Sequence, residues 1–306
     1  MMDTVNKSAS DIPTESWIDR HAPARVRPYL RLARVDRPIG TWLLLFPCLW
    51  GLALASEGWP NLQFAALFVI GSFVMRGAGC TVNDIADRNF DGQVARTAMR
   101  PIPNGDVTVF QAFIFLGLQL AIGLLVLLQF NWFTVTLGAS SLILVGIYPF
   151  MKRITNWPQL VLGLTFNWGA LLGWAVVWGD VGYPAIFLYV ACVFWTLGYD
   201  TIYAHQDKED DSLIGLKSSA LLLGNNTRPW LFGFYGLALL FVFCAGYLAE
   251  MTWPFYAALI FVAAHLGWQA LKVDINNSQD CLAKFKSNRW VGWLLLAGLV
   301  AGRVVV

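Results

Sequence analysis

Apolar residues in this chain fall in long runs separated by short polar segments. Nine runs are almost free of charge: 39–55, 64–80, 110–128, 133–150, 160–178, 185–203, 230–248, 253–271 and 290–306. A run of about 17–25 residues covers the hydrocarbon core of a bilayer as a helix. None of the runs alternates with period two, so a membrane barrel is not expected. The pattern predicts an all-α integral membrane bundle of nine transmembrane helices. Residues 1–30 are expected to form a polar N-terminal tail, and 31–306 a single membrane-embedded domain.

Composition agrees. Hydrophobic residues make up 57% of the chain and charged residues 13%, about half the usual charged share. The net charge of +2 gives no expectation of a nucleic-acid partner; the partner is the lipid bilayer. The distribution of charge is more telling. With the N-terminus cytoplasmic, 19 of the 21 Lys and Arg fall on the inner side, while the four outer loops hold only Glu57, Asp180 and Glu250. Such asymmetry orients membrane proteins. It leads to the expectation of a multi-pass protein of a bacterial inner (cytoplasmic) membrane, with its site toward the cytoplasm. The first 38 residues lack the apolar core of a cleavable signal and mix Asp3, Asp11, Glu15 and Asp19 among their bases, unlike a transit peptide. Five scattered cysteines without CxxC spacing argue against a disulfide framework or zinc site. The pattern specifies no oligomeric state.

Two polar segments concentrate acids. "NDIADRNFD" (83–91) closes the second run and "YDTIYAHQDKEDD" (199–211) closes the sixth. A basic, glycine-containing stretch follows each, which suggests a parallel internal repeat four spans apart. Asn83, Asp87 and Asp91 are separated by four-residue steps and share one helix face; Asp207 and Asp211 repeat the step. Asp84 and Asp210 are neighbours on other faces. If both helices continue beyond the hydrocarbon, two carboxylate stripes face each other near the inner boundary. Crowded carboxylates raise each other's pKa and settle as anions around a cation. A set of oxygen donors suits Mg²⁺, whose shell is completed by water and substrate phosphates. Arg88, Arg96, Arg100, Lys208 and Lys217 are candidate phosphate partners. Acids in a surface loop are most often merely solvated. Their recurrence at matched positions, each beside bases, argues otherwise. Arg76 lies inside the second run, seven residues before Asn83, and a charge at that depth is a functional candidate by default. Arg34 and Arg37 read as simple anchors. His205 breaks the four-residue step and is assigned no metal; His265 reads as a packing residue.

"NDIADRNFD", "YDTIYAHQDKEDD", "GLKSSA" (215–220) and "YPFMKRITNWPQLVLGLTFNWG" (148–169) together resemble the UbiA family of intramembrane prenyltransferases, from about residue 31 to the last span. "RVDRPIG", the 152–159 stretch "KRITNWPQ" and "TFNWG" resemble its hydroxybenzoate branch. The resemblance implies a nine-helix bundle, a Mg²⁺-bound polyprenyl diphosphate and 4-hydroxybenzoate as acceptor, in ubiquinone biosynthesis. It implies that Asn83, Asp87, Asp91, Asp207 and Asp211 bind the metal. Arg153 becomes a candidate to hold the acceptor's carboxylate, and Tyr148 to reach the diphosphate. Homogentisate or a naphthoate remains an alternative acceptor. A cation-coupled transporter is the alternative of another class, although its acids would lie near mid-membrane rather than at span ends. Neither prenyl chain length nor the group that removes the ring proton is legible.

Overall fold

The computed structural model describes residues 16–92, 97–213 and 215–305, and among them every regular element is helical. In chain order these are α1 (Trp17–His21), α2 (Arg27–Leu32), α3 (Ile39–Ala55), α4 (Leu62–Asp91), α5 (Val109–Leu127), α6 (Trp132–Ile147), α7 (Met151–Ile154), α8 (Pro158–Phe166), α9 (Trp168–Trp178), α10 (Tyr183–Ala204), α11 (Lys208–Leu213), α12 (Ser219–Leu223), α13 (Thr227–Leu248), α14 (Trp253–Lys272) and α15 (Ser278–Val304). Arg96 and the start of the tail lie outside the described residues, as does the side chain of Asp210.

Among the described residues, seven helical segments are long and apolar enough to cross a membrane: α4, α5, Trp132–Ile154, Pro158–Trp178, α10, Ser219–Leu248 and α14. Two of the nine expected crossings fall short by this measure. α3 has 17 residues, about 26 Å at 1.5 Å per residue, against a core of about 30 Å. α15 is 27 residues long, but its first turns carry Asp280, Lys284, Lys286 and Arg289. Trp132–Ile154 bends through a 3₁₀ turn, Tyr148–Phe150, between α6 and α7, where Pro149 cannot donate to the helical ladder. Pro158–Trp178 is broken at Asn167 into α8 and α9.

The chain divides into two compact units, one of Met1–Thr41 with Gly71–Val126, the other of Trp42–Ile70 with Leu127–Val306. In the first, Leu32, Ile85, Val107 and Ala112 form a buried core with Tyr29, Ile102, Phe115 and Leu116 packed on it. It fastens α2 and the 101–107 loop to the acid-bearing end of α4. Gln119 on α5 accepts from Thr81 Oγ1 at 3.1 Å, so these two polar side chains pair with each other inside the spans.

In the second unit α10 is the most enclosed helix and packs on α8, α9, α13 and α15. α3 and α9 approach backbone to backbone. Gly169 and Gly173 of α9 face Cys48, Gly51 and Leu52 of α3, with no room for a Cβ. This is a GxxxG seam: in lipid, close approach of small residues replaces the hydrophobic drive that packs helices in water. Many large apolar side chains instead face outward, including Phe110, Ile114, Leu125, Ile143, Ile260 and Phe261, as lipid contact requires. Trp59, Trp132, Tyr183 and Trp253, each at least 69% exposed, stand at or just before helix starts, where an aromatic belt meets the interface.

Candidate active site

In the first unit, α4 runs unbroken through the first acid motif and ends on Asp91. Asn83, Asp87 and Asp91 therefore share a face, as their spacing predicts. Asp87 and Asp84 are fully buried, Asp91 nearly so, and Asn83 half-buried. Burial this deep excludes the reading of these acids as solvated surface groups. Asp84 is the centre of an ion cluster. Its Oδ1 accepts from Arg34 Nη2 at 2.7 Å and from Arg100 Nη1 at 3.2 Å. Arg100 Nη1 also reaches Asp91 Oδ2 at 3.0 Å. The other Asp84 oxygen, Oδ2, is buried without a hydrogen-bond partner. Thr97 Oγ1 donates to the Asp91 carbonyl at 2.8 Å and ties the returning loop to the helix end.

Arg34 was expected to be a simple anchor. It is instead buried, with φ of 58°, a left-handed conformation that costs a non-glycine residue about 1–2 kcal/mol. Its guanidinium holds both Asp84 and the Arg31 carbonyl, and these bonds offset the strain. Removing either member of such a pair strands a buried charge, at a cost of about 3–5 kcal/mol. Arg88 points away from this cluster: it is exposed and donates to the carbonyl of Ile85. Arg76 is half-buried, and its guanidinium lies over Gly40 at the start of α3, where a Cβ would collide with it.

The second motif, in the second unit, departs from the expected continuous stripe. α10 ends at Ala204. The chain turns there through bonds from His205 N to Ile202 O and from Gln206 N to Tyr203 O. Asp207 stands in the turn and Asp211 on α11, joined by a bond from Asp211 N to Asp207 O at 2.8 Å. His205 stands at the break. Its ring is buried and its Nε2 pairs with Thr227 Oγ1 at 2.9 Å, which fastens the turn to α13. Burial, with the charge of Lys208 second, pushes the imidazole down from 6.5 to about 4, so it stays neutral at neutral pH.

Gly215, with φ of 72°, lets the chain reverse after α11. Leu216 N then donates to Asp211 O, and Lys217 N to Lys152 O at 2.8 Å. Lys217 Nζ reaches Ile154 O at 3.1 Å. The second acid motif is thus fastened to the short helix that carries Lys152 and Arg153. Arg153 is exposed, with its guanidinium carbon 5.7 Å from the centroid of the Phe150 ring. Tyr148 is half-buried on the adjoining 3₁₀ turn. Lys208 turns to the loop after α14, donating to Asn276 Oδ1 at 2.7 Å and approaching Ile275 O at 3.4 Å.

Among the described residues no three His, Cys, Asp or Glu side chains form a group able to hold a metal ion. The donor chemistry nevertheless suits Mg²⁺: both motifs offer carboxylate and amide oxygens without thiol or usable imidazole. Mg²⁺ is commonly held by one or two carboxylates plus substrate phosphates rather than by a protein cage.

Several buried polar groups gave no motif. Asn167 donates to Gly163 O at 2.7 Å, Cys192 O at 3.1 Å and Thr196 Oγ1 at 2.7 Å, spanning the break between α8 and α9. Gln159 accepts from Ser219 N, and Ser219 Oγ meets Thr201 Oγ1. Asn288 accepts from Trp195 Nε1 at 2.8 Å. Asn167, Thr196 and Thr201 carry a signal in the sequence, a polar residue inside an apolar run; Gln159, Ser219 and Asn288 stand outside the runs and carry none. His265 pairs with Ser287 Oγ at 3.2 Å, as a packing residue would.

Helices of this length and apolarity define an integral membrane protein, and α4 ends in a cluster of buried carboxylates and guanidinium groups. Residues 44–301 match the UbiA prenyltransferase family, and the chain belongs to that family. It is 54% identical over 278 residues to the protein of Aedes aegypti named 4-hydroxybenzoate polyprenyltransferase, mitochondrial. That match covers 90% of this chain and 63% of the relative, so the chain spans less than two thirds of its length. Proteins of the same name from Arabidopsis thaliana and Rattus norvegicus are 50% and 54% identical, covering 97% and 92% of this chain and 75% and 76% of theirs. The fold matches a UbiA homolog from Aeropyrum pernix K1 with a TM-score of 0.71 at 23% identity, over 85% of this chain and 97% of that one. It also matches a UbiA homolog from Archaeoglobus fulgidus bound to GPP and Mg²⁺, with a TM-score of 0.66 at 20% identity, over 91% and 100%.

These relatives overturn one expectation. A bacterial inner membrane was inferred from charge asymmetry, but the named relatives are mitochondrial proteins of an insect, a plant and a mammal, and they point to a mitochondrial membrane. Charge asymmetry orients a chain across a bilayer and carries no information about which organelle holds it.

Proposed function

We propose that the protein transfers a polyprenyl group from polyprenyl diphosphate to the ring carbon ortho to the hydroxyl of 4-hydroxybenzoate, a step in ubiquinone biosynthesis. The observation that carries this reading is 50–54% identity, over nine tenths or more of the chain, to proteins named for that activity. The buried, oxygen-rich acid motifs give it a chemical basis.

Asn83, Asp87 and Asp91 hold Mg²⁺ on the first motif, and Asp207 and Asp211 on the second. When bound, Mg²⁺ neutralises the charge that develops on the departing diphosphate. Arg76, Arg96, Arg100, Lys208 and Lys217 supply the surrounding positive field, and Tyr148 donates to a phosphate oxygen; Arg88, which points away from the first motif, is left out of it. The allylic carbon–oxygen bond breaks and the diphosphate departs, the ring carbon of the acceptor bonds to the allylic cation, and the ring proton passes to a carboxylate or to the released diphosphate. Apolar helix walls keep water from the cation. Arg153 binds the acceptor's carboxylate, whose planar geometry matches a guanidinium. In this reading α3 and the apolar end of α15 bring the crossings to nine, and the N-terminus and the ends of both acid-bearing helices lie on the base-rich side; the support is the charge asymmetry of the sequence. The two motifs descend from a parallel repeat.

Membranes containing the protein, supplied with radiolabelled 4-hydroxybenzoate, a polyprenyl diphosphate and Mg²⁺, are expected to yield a lipid-soluble labelled product. Labelled homogentisate or naphthoate is expected to give none. Transfer to either of these instead would move the protein to another branch of the family.

A further inference from the structure

We infer that Asn104 is a site of spontaneous covalent modification. Its side-chain amide closes on the backbone nitrogen of Gly105 to a cyclic imide, which water opens to aspartate or iso-aspartate. The reaction needs no enzyme and is independent of prenyl transfer. Asn104–Gly105 is the one Asn–Gly pair in the sequence. Glycine in second place has no Cβ to hinder the approach of its nitrogen to the side-chain carbonyl.

The structure adds what the pair alone does not supply. Asn104, Gly105 and Asp106 are all exposed, so water reaches the imide. Gly105 has φ of 81°, and nothing lies within 4 Å of a Cβ built on it, so the turn has room to change shape. The Asn104 side chain leans forward along the chain, with Nδ2 donating to Asp106 Oδ2 at 3.0 Å. A side chain that reaches from residue 104 to residue 106 passes beside the peptide between them, which carries the attacking nitrogen. Gly105 N donates to Ile102 O at 3.1 Å. That is one turn bond at an exposed loop tip, where local opening costs least. Asn83, Asn89 and Asn288 lack this freedom. They lie inside α4 and α15, where the next backbone nitrogen is held in the helical ladder.

The Gly105 nitrogen gives up its proton to base and bonds to Asn104 Cγ. The Cγ–Nδ2 bond breaks, and the amide nitrogen leaves as ammonia with a proton from solvent. Water then adds to one of the two imide carbonyls. Breaking the new Cγ–N bond restores the chain with aspartate at 104. Breaking the bond from nitrogen to the main-chain carbonyl carbon leaves the chain running through Cγ, as iso-aspartate. The balance is one amide and one water to one carboxylic acid and one ammonia. Either product adds a negative charge, and iso-aspartate also lengthens the main chain by one carbon. The loop is closed on both sides of that carbon. Asn104 N donates to Arg100 O at 2.9 Å, and Val107 N to Pro101 O at 3.0 Å. Val107 is buried with Leu32, Ile85 and Ala112. The donors Gly105 N and Val107 N lie beyond the inserted carbon from their acceptors, so both bonds lose register. Iso-aspartate at 104 therefore loosens the clasp of the 101–107 loop on α2 and α4.

The test ages the full chain in detergent, in mildly alkaline buffer, and samples it by peptide mapping. Electron-transfer fragmentation tells iso-aspartate from aspartate in the same peptide. The wild-type peptide that holds Asn104 is expected to gain one mass unit before any other asparagine-bearing peptide, faster as the pH rises, with iso-aspartate among the products. Gly105→Ala is expected to slow the gain several-fold, and Asn104→Gln to abolish it over the same time. The melting temperature of aged wild type is expected to fall as the iso-aspartate fraction grows, while aged Asn104→Gln holds its own. An unchanged mass at Asn104 while other asparagines convert, or aspartate as the sole product, overturns the inference. So does an equal rate in Gly105→Ala and wild type. Should Gly105→Ala fail to accumulate, the order of conversion and the presence of iso-aspartate decide. Unchanged melting of the fully converted protein overturns the loosening of the loop.

Discussion

Replacing Gly173 by alanine tests the closest helix contact in the second unit. A Cβ built on Gly173 stands 2.5 Å from Leu52 N and 2.9 Å from the Gly51 carbonyl carbon, and collides with Cys48 O. All three obstacles are backbone atoms of α3, so no side chain can rotate away. Ordinary contacts need about 3.5 Å, so α3 and α9 must part by roughly 1 Å along the seam. Overpacking of this kind costs about 1–3 kcal/mol, and a rigid backbone obstacle puts Gly173→Ala at the upper end. At roughly 2 °C per kcal/mol for a chain this long, the melting temperature should fall by about 5 °C or more. Thermal unfolding in detergent at one fixed scan rate measures it, since unfolding of such proteins is often irreversible. Gly236→Ala on α13 is the control. Nothing lies within 4 Å of its Cβ, and alanine is the better helix former by up to about 1 kcal/mol, so its melting point should hold or rise. Equal melting of Gly173→Ala and wild type would refute the backbone-to-backbone packing of α3 on α9.

Asp87→Asn is nearly isosteric at a fully buried position; the rate is expected to fall on the order of 10²–10³-fold with normal membrane insertion, and near-normal turnover at low Mg²⁺ would remove Asp87 from the site. Arg153→Ala should raise the KM for 4-hydroxybenzoate more than it lowers kcat, because the acceptor's carboxylate does not change charge in the reaction; Lys at 153 should rescue it only in part. A loss of kcat and donor affinity with acceptor KM unchanged would move Arg153 to the diphosphate. His205 is held neutral in the fold, down from 6.5 to about 4, whereas the unfolded chain takes up a proton below about 6.5. Its contribution to stability is therefore complete above that pH and is lost as the pH falls toward 4. The melting temperature of wild type should drop across that window more steeply than that of His205→Gln, and parallel curves would show that His205 does not titrate there.

Hydrophobic periodicity and length were enough to establish the helical class and most of the spans, because a chain in lipid must satisfy its backbone within each segment. The four-residue step was enough to align Asn83, Asp87 and Asp91, because α4 continues unbroken through them. Local spacing of this kind is a property of one helix and is written in consecutive residues. The same argument failed at Asp207 and Asp211, where the helix ends early. The turn there is held by a pairing of His205 with Thr227, 22 residues away, which no local pattern encodes.

Tertiary structure alone decided the rest. Arg34 looked like one more interfacial base. Only the fold sets it 2.7 Å from an aspartate 50 residues on, and with it turns Asp84 from a bystander into the centre of an ion cluster. Gly173 looked like one of 27 glycines until α3 was laid across α9. Lys208 and Lys217 looked alike as phosphate partners, yet one is fastened to the loop after α14 and the other to the end of α7. The sequence by itself determined which residues could carry charge, which stretches could sit in lipid and which side chains share a helix face, since these depend on composition and on a fixed rise per residue. Which charges meet depends on how distant segments pack, and burial makes that choice consequential: a carboxylate that would be indifferent to its neighbours in water must find a guanidinium once the fold has removed the solvent.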